Sequence, residues 1–180
     1  VILNLDYQKT IDAFTALGLN KSGQLFSQSH QTALFNNFET GKISAIQFRS
    51  EIRKLVTSEV SDAQIDDAWN SMLFDLPLKR IDLLKSMAKN KRIFLLSNTN
   101  DIHMNWFKSY TNELLGNDVF FKLFEVAYLS NEMGLRKPNA DIFKQVINQN
   151  NLNPLTTLFI DDSLQHITGA KKVGLRAYHI

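Results

Sequence analysis

After Asn90 the apolar residues of this chain change their spacing, and that change limits the architectures open to it. Upstream they recur every three or four positions, at Ile11, Phe14, Ala16 and Leu17 and again at Phe48, Ile52, Leu55 and Val56. This spacing gives an α-helix one buried face. Downstream, compact apolar runs at 92–96, 126–129 and 157–160, and a fourth from Leu175, are separated by stretches of helical spacing. Short strands alternating with helices predict a parallel sheet with right-handed crossovers. The expected fold is therefore α/β: a Rossmann-like parallel sheet core in the second half, with a helical segment of four or five helices ahead of it.

Local signals place the elements. Ser44 followed by Gln47, and Ser61 followed by Gln64, have the form of capping boxes, while Gly18, Gly23 and Gly41 mark turns between helices. Helices are expected over 101–115 and 141–150, with Pro138 as an early helical residue of the second, and from the end of the third strand to Val173. With 180 residues, 44% of them apolar and 21% charged, the chain suits one sizeable domain, or one domain with an insertion, rather than disorder or a coiled coil. The 13 phenylalanines are accounted for by two small cores.

Several function classes drop out on composition. No cysteine means no disulfide framework, no thiolate zinc site and no cysteine nucleophile, which fits a reducing, cytoplasmic setting. Twenty basic against 18 acidic residues give +2, too little to argue for nucleic acid. The apolar runs fall far short of the ~18 residues that span a membrane, and no signal peptide is visible. The chain opens on Val1-Ile2-Leu3 and stops at Tyr178-His179-Ile180, in what reads as mid-strand, so both ends look cut.

Ligands of an open parallel sheet gather outside the carboxyl ends of its strands. There the first strand ends in Ser97-Asn98, a hydroxyl and a backbone N–H suited to an anionic oxygen, and the third in Asp161-Asp162, hard carboxylates suited to Mg2+ rather than zinc. The loop after the second strand carries Arg136-Lys137-Pro138, a positive charge for a phosphate or carboxylate. Each has a plainer reading by itself: Ser97 as a helix cap, Lys137 as a solvated loop residue, Asp161-Asp162 as a cap with Gln165 closing a capping box. Taken together, a donor cluster, an ammonium and paired carboxylates describe a phosphoryl-transfer site.

These residues resemble the haloacid dehalogenase (HAD) superfamily. Leu95-Leu96-Ser97-Asn98-Thr99 is similar to its second motif, Gly134-Leu135-Arg136-Lys137-Pro138 through Ile142-Phe143 to its third, and Leu158-Phe159-Ile160-Asp161-Asp162 to its fourth. Phe38-Glu39-Thr40-Gly41-Lys42-Ile43-Ser44 resembles the inserted cap of a branch similar to α-glucose-1-phosphate phosphatases. The resemblance implies an α-helical cap over 8–88 inserted into a core of 1–7 and 89–180. It implies a Mg2+-dependent phosphatase of a small phosphorylated metabolite, such as a sugar phosphate, working through an aspartyl-phosphate as a monomer or homodimer.

By the same resemblance Ser97 and the Asn98 backbone hold phosphoryl oxygens, Lys137 neutralises nucleophile and phosphate, and Asp162 with Asp161 holds Mg2+. His166 stands where the family often has Asp or Asn, either orienting a metal-bound water or lying on a helix surface. The first motif, a strand ending in the nucleophilic Asp, is imitated by Val1 to Asp6 with Asn4 in the nucleophile's place. The stretch ending in Asp6-Tyr7 is a better match to the segment after the nucleophile in the resembling branch, which puts that Asp a few residues before Val1. Without that central strand, both its neighbours become sheet edges. Three other activities remain open: a metal-independent haloacid dehalogenase, against which the acid pair argues, a sugar-phosphate mutase, and a degenerate phosphate-binding or scaffold protein, which Asn4 would favour. Substrate choice would fall to cap side chains such as Phe35, Phe38, Trp69 and His30, although core packing is the expectation for the aromatics.

Overall fold

A computed structural model describes residues 1–19 and 33–180; Gly23 and His30 lie outside the described residues. Among those described, the helical segment contains α1 (Tyr7–Ala16), α2 (Ala33–Glu39), α3 (Ala45–Arg53), α4 (Asp62–Asn70) and α5 (Leu78–Ala88). Both predicted capping boxes form: Ser44 and Ser61 each accept from the backbone N–H three residues on, and Gln47 and Gln64 return the bond to the cap backbone. Then come β1 (Phe94–Ser97), α6 (Asp101–Leu115), β2 (Val126–Leu129), α7 (Ser130–Met133), α8 (Ala140–Gln149), β3 (Leu158–Asp161), α9 (Leu164–Lys172) and β4 (Arg176–His179).

Both strand ladders among the described residues are parallel, as the alternation predicts. β1 pairs with β2, Ser97 beside Leu129, and β3 pairs with β4, Asp161 beside His179. The ladders form two separate two-stranded sheets, so β1 and β3 each keep one open edge among the described residues. Pro138 departs from expectation. It lies ahead of α8, whose cap is Asn139 accepting from Asp141 N, and so belongs to the loop rather than to the helix.

Three apolar clusters, one more than expected, hold the chain together. The first is aromatic: Phe38 stacks on Phe48 at 4.3 Å, Phe35 stacks on Trp69 at 5.2 Å, and Phe14 closes the group from α1. Burying each such ring is worth roughly 1.5–3 kcal/mol. These side chains are 0–4% exposed, so Phe35, Phe38 and Trp69 pack in the core as expected of aromatics. In the second cluster Ile81 of α5 packs with Phe120 and Phe124, apart from the first four helices. The third sets Ile142 and Phe143 of α8 against Ala170 of α9 and Leu175.

The residues ahead of α1 and those between α4 and α5 pair as a short antiparallel ribbon. Asn4 N donates to Asp75 O, Phe74 N to Asn4 O and Asp6 N to Met72 O, around the bridge between Leu5 and Leu73. Asn4 also donates from Nδ2 to Asp75 and accepts from Arg80 at Oδ1. Asn4 is thus a linker residue, and the register that puts it in a nucleophile's place does not hold. Above the ribbon, buried His103 of α6 stacks on Trp69 at 4.7 Å, and Trp69 Nε1 donates to Asn100 Oδ1. Among the described residues no helix is long and apolar enough to cross a membrane.

Candidate functional site

The loops after β1, β2 and β3 meet through Lys137. Its ammonium lies 2.7 Å from Asp161 Oδ2, with the two side chains 8% and 7% exposed. Its backbone exchanges two hydrogen bonds with the side chain of Asn98: Lys137 N donates to Oδ1 and Asn98 Nδ2 donates to Lys137 O, each at 2.9 Å. A buried ammonium needs such a partner, because desolvation without compensation costs several kcal/mol. Lys137 is therefore no solvated loop residue; it cross-links the ends of β1 and β3.

Ser97 is not a helix cap either. Asn100 caps α6 by accepting from His103 N, while the Ser97 hydroxyl has only a 3.4 Å contact with Asn98 O. The β1 loop is fixed from its other side, where Thr99 N donates to Ser130 Oγ and that hydroxyl donates to Thr99 O. The cap expected of Asp161-Asp162, with Gln165 closing a capping box, does not form. Ser163 precedes α9 without a side-chain cap, and its N–H donates to Asp161 Oδ1.

The adjacent acids differ in environment because successive side chains of a strand end point to opposite sides. Asp161 is buried and accepts from Lys137, Ser163 N and His166 Nδ1, the last at 2.9 Å. Burial pushes its pKa up, but the His166 hydrogen bond and the Lys137 charge outweigh this and hold the carboxyl well below the usual carboxylate range. Asp162 is exposed, with one carboxylate oxygen 3.1 Å from the backbone nitrogen of Val1. His166 is not a bare surface group: 17% exposed, it braces Asp161 through Nδ1.

Motif reading also passed over Tyr7, the first residue of α1. Burial, then Asp162, Glu39 and Asp161, raise its phenol to about 12 against the opposing pull of Arg136. This places the first residue of α1 in the field of both the acid pair and the Glu39–Arg136 pair. The Asp-aromatic sequence at Asp6-Tyr7 was the available signal. The side-chain role of Asn98 was missed too, since a single motif cannot show a bond to a residue 39 positions away.

The sequence pattern of the haloacid dehalogenase-like hydrolases matches residues 20–174. The chain belongs to this family. Among relatives of this hydrolase, the D-ribitol-5-phosphate phosphatase of Bacteroides thetaiotaomicron is 33% identical over 183 residues, covering 99% of this chain and 86% of the relative. A solved HAD family enzyme of B. thetaiotaomicron, in complex with magnesium and inorganic phosphate, superposes with a TM-score of 0.92 at 37% identity over 99% of this chain and 88% of its own. A predicted HAD-like family hydrolase from Porphyromonas gingivalis gives 0.89 at 30% identity, over 99% and 85%.

The donor set can be tested against Mg2+ on chemistry alone. Mg2+ takes one or two carboxylates and completes its shell with water and phosphate oxygens. Two adjacent carboxylate side chains, one exposed and one held by Lys137, fit that demand. Among the described residues no group of three or more His, Asp or Glu side chains is arranged to hold a metal ion by itself.

Proposed function

We propose that this hydrolase is a Mg2+-dependent phosphatase acting on a small phosphorylated sugar or polyol, with D-ribitol 5-phosphate the first substrate to try. The observation that carries the reading is the position of Lys137, which joins Asn98 after β1 to Asp161 at the end of β3. The phosphatase relative and the magnesium–phosphate complex of a similar structure support it.

In this reading the Ser97 hydroxyl and the Asn98 N–H bind phosphoryl oxygens, and the Lys137 ammonium neutralises charge that gathers on them. Asp161, with His166 behind it, keeps Lys137 aimed. Asp162, with Asp161, would hold Mg2+ directly or through water. When bound, the ion supplies further charge neutralisation and orients the phosphate. The family resemblance implies an aspartyl-phosphate intermediate. We place its nucleophile on an extended segment paired to the open edges of β1 and β3, because Asp161 is committed to Lys137 and Asn4 to the linker ribbon.

We take α1–α4 as the cap that closes over the substrate. α5, expected within it on sequence, packs instead with Phe120 and Phe124 of the α/β part and is assigned there. The absence of cysteine supports a cytoplasmic setting.

The test is phosphate release from D-ribitol 5-phosphate and a panel of sugar phosphates by full-length protein, with Mg2+ and with EDTA. Release that requires Mg2+ and disappears in Asp162→Ala is expected. Turnover unaffected by EDTA or by Asp162→Ala would count against the reading, and an isomeric phosphate without release would make the enzyme a mutase.

A further inference from the structure

Arg136 stands immediately before Lys137, yet its side chain turns toward the cap. Nε donates to Glu39 Oε2 at 2.8 Å and Nη1 donates to Asn36 Oδ1 at 2.8 Å. Asn36 and Glu39 are three residues apart and lie on one face of α2, so a single guanidinium spans one helical turn. The pair is shielded, with Arg136 20% and Glu39 11% exposed. Shielding strengthens a charge-assisted bond and makes its loss costly. The turn after α2 is pressed onto α7: a Cβ built on Gly41 would stand 2.2 Å from Asn131 O. One peptide bond thus separates a side chain gripped by the cap from a residue held at its backbone by Asn98 and at its ammonium by Asp161.

We propose that Arg136 is a positioning residue: clamped by Glu39 and Asn36, it makes the seated position of the cap and the alignment of Lys137 a single state. The proposal rests on the phosphatase reading. Substrates whose leaving group reaches the cap depend on that state for turnover, and those with a small, good leaving group depend on it much less. Withdrawing Glu39 leaves the guanidinium short of its counter-charge, loosens the turn at 40–44, and lets the Lys137 loop wander.

The experiment compares Arg136→Gln, Glu39→Gln, their double variant and the milder Asn36→Ala in full-length protein. Each single Gln variant is expected to lower kcat on the polyol phosphate by about tenfold with little change in KM, the double no further, and acetyl phosphate turnover to stay within about threefold, the size expected for one charge-assisted bond. Amide hydrogen exchange should quicken both at 40–44 and at the Lys137 N–H in Glu39→Gln, with a smaller change in Asn36→Ala. Additive losses, equal losses on both phosphates, or unchanged exchange at Lys137 would overturn the proposal. Wild-type protein that hydrolyses neither compound would defeat the phosphatase reading, while exchange at Lys137 would still decide the coupling, in its favour if faster and against it if unchanged.

Discussion

Lys137 Nζ and Asp161 Oδ2 lie 2.7 Å apart, and both side chains are more than nine-tenths buried. The pair links a loop after β2 to the end of β3, so it serves the scaffold as well as the chemistry. Removing one partner strands the other charge, which typically costs about 3–5 kcal/mol. Asp161→Ala should therefore destabilise the protein by that order in urea unfolding. Lys137→Met with Asp161→Leu, which removes both charges, should recover most of the loss while remaining inactive toward phosphate esters.

Asp162 makes the opposite prediction. Its carboxylate is exposed, and substitutions at such positions usually stay within about 0.5 kcal/mol. Asp162→Asn should unfold at nearly the wild-type urea concentration yet lose phosphatase activity by about a hundredfold or more, the scale of removing one transition-state electrostatic group. A substantial shift in the unfolding midpoint would assign Asp162 to the scaffold.

His103 predicts how stability depends on pH. Burial lowers its pKa from the usual 6.5 to about 4, against the raising effect of its bond to Trp69 O. The folded state holds the ring neutral while the unfolded chain takes up a proton below about pH 6.5. Stability from this group is complete above pH 6.5 and falls as pH drops toward 4, by as much as about 3 kcal/mol at roughly 1.4 kcal/mol per unit. Urea unfolding between pH 7.5 and 4.5 should show this loss, and His103→Gln should flatten that part of the curve.

Gly169 tests the backing of the Lys137 loop. A Cβ there would lie 2.4 Å from Pro138 O and 3.1 Å from Phe143 Cε2, so α9 approaches the loop backbone more closely than any side chain permits. Gly169→Ala must push them apart, at a cost of about 1–3 kcal/mol. Because Pro138 adjoins Lys137, turnover should fall as well. Unchanged kinetics would show that the loop absorbs the displacement.

Much of this architecture is legible in local pattern. The helical spacing of Phe48 and Ile52, the capping boxes at Ser44 and Ser61, and the apolar runs around Leu95 and Phe159 are short-range signals, read from neighbours three or four residues apart. Ser97, Lys137 and Asp161-Asp162 stood out because a polar group directly after a buried strand lies where parallel sheets bind ligands. Pro138 was misplaced because a proline near a helix start suits either the first turn or the preceding loop, and only the path of the backbone past Gly169 distinguishes the two.

The sequence by itself determined the order of elements, the parallel pairing and the residue types at the strand ends, since these follow from periodicity and from the chemistry of single side chains. The tertiary structure decided which acid is buried against Lys137 and which is open, that His166 braces Asp161, that Asn4 is a linker residue, and that Arg136 faces α2. The physical reason is distance along the chain. The pairings of Lys137 with Asp161 and of Arg136 with Glu39 join residues 24 and 97 positions apart, and no local pattern encodes which of two adjacent carboxylates such contacts will desolvate.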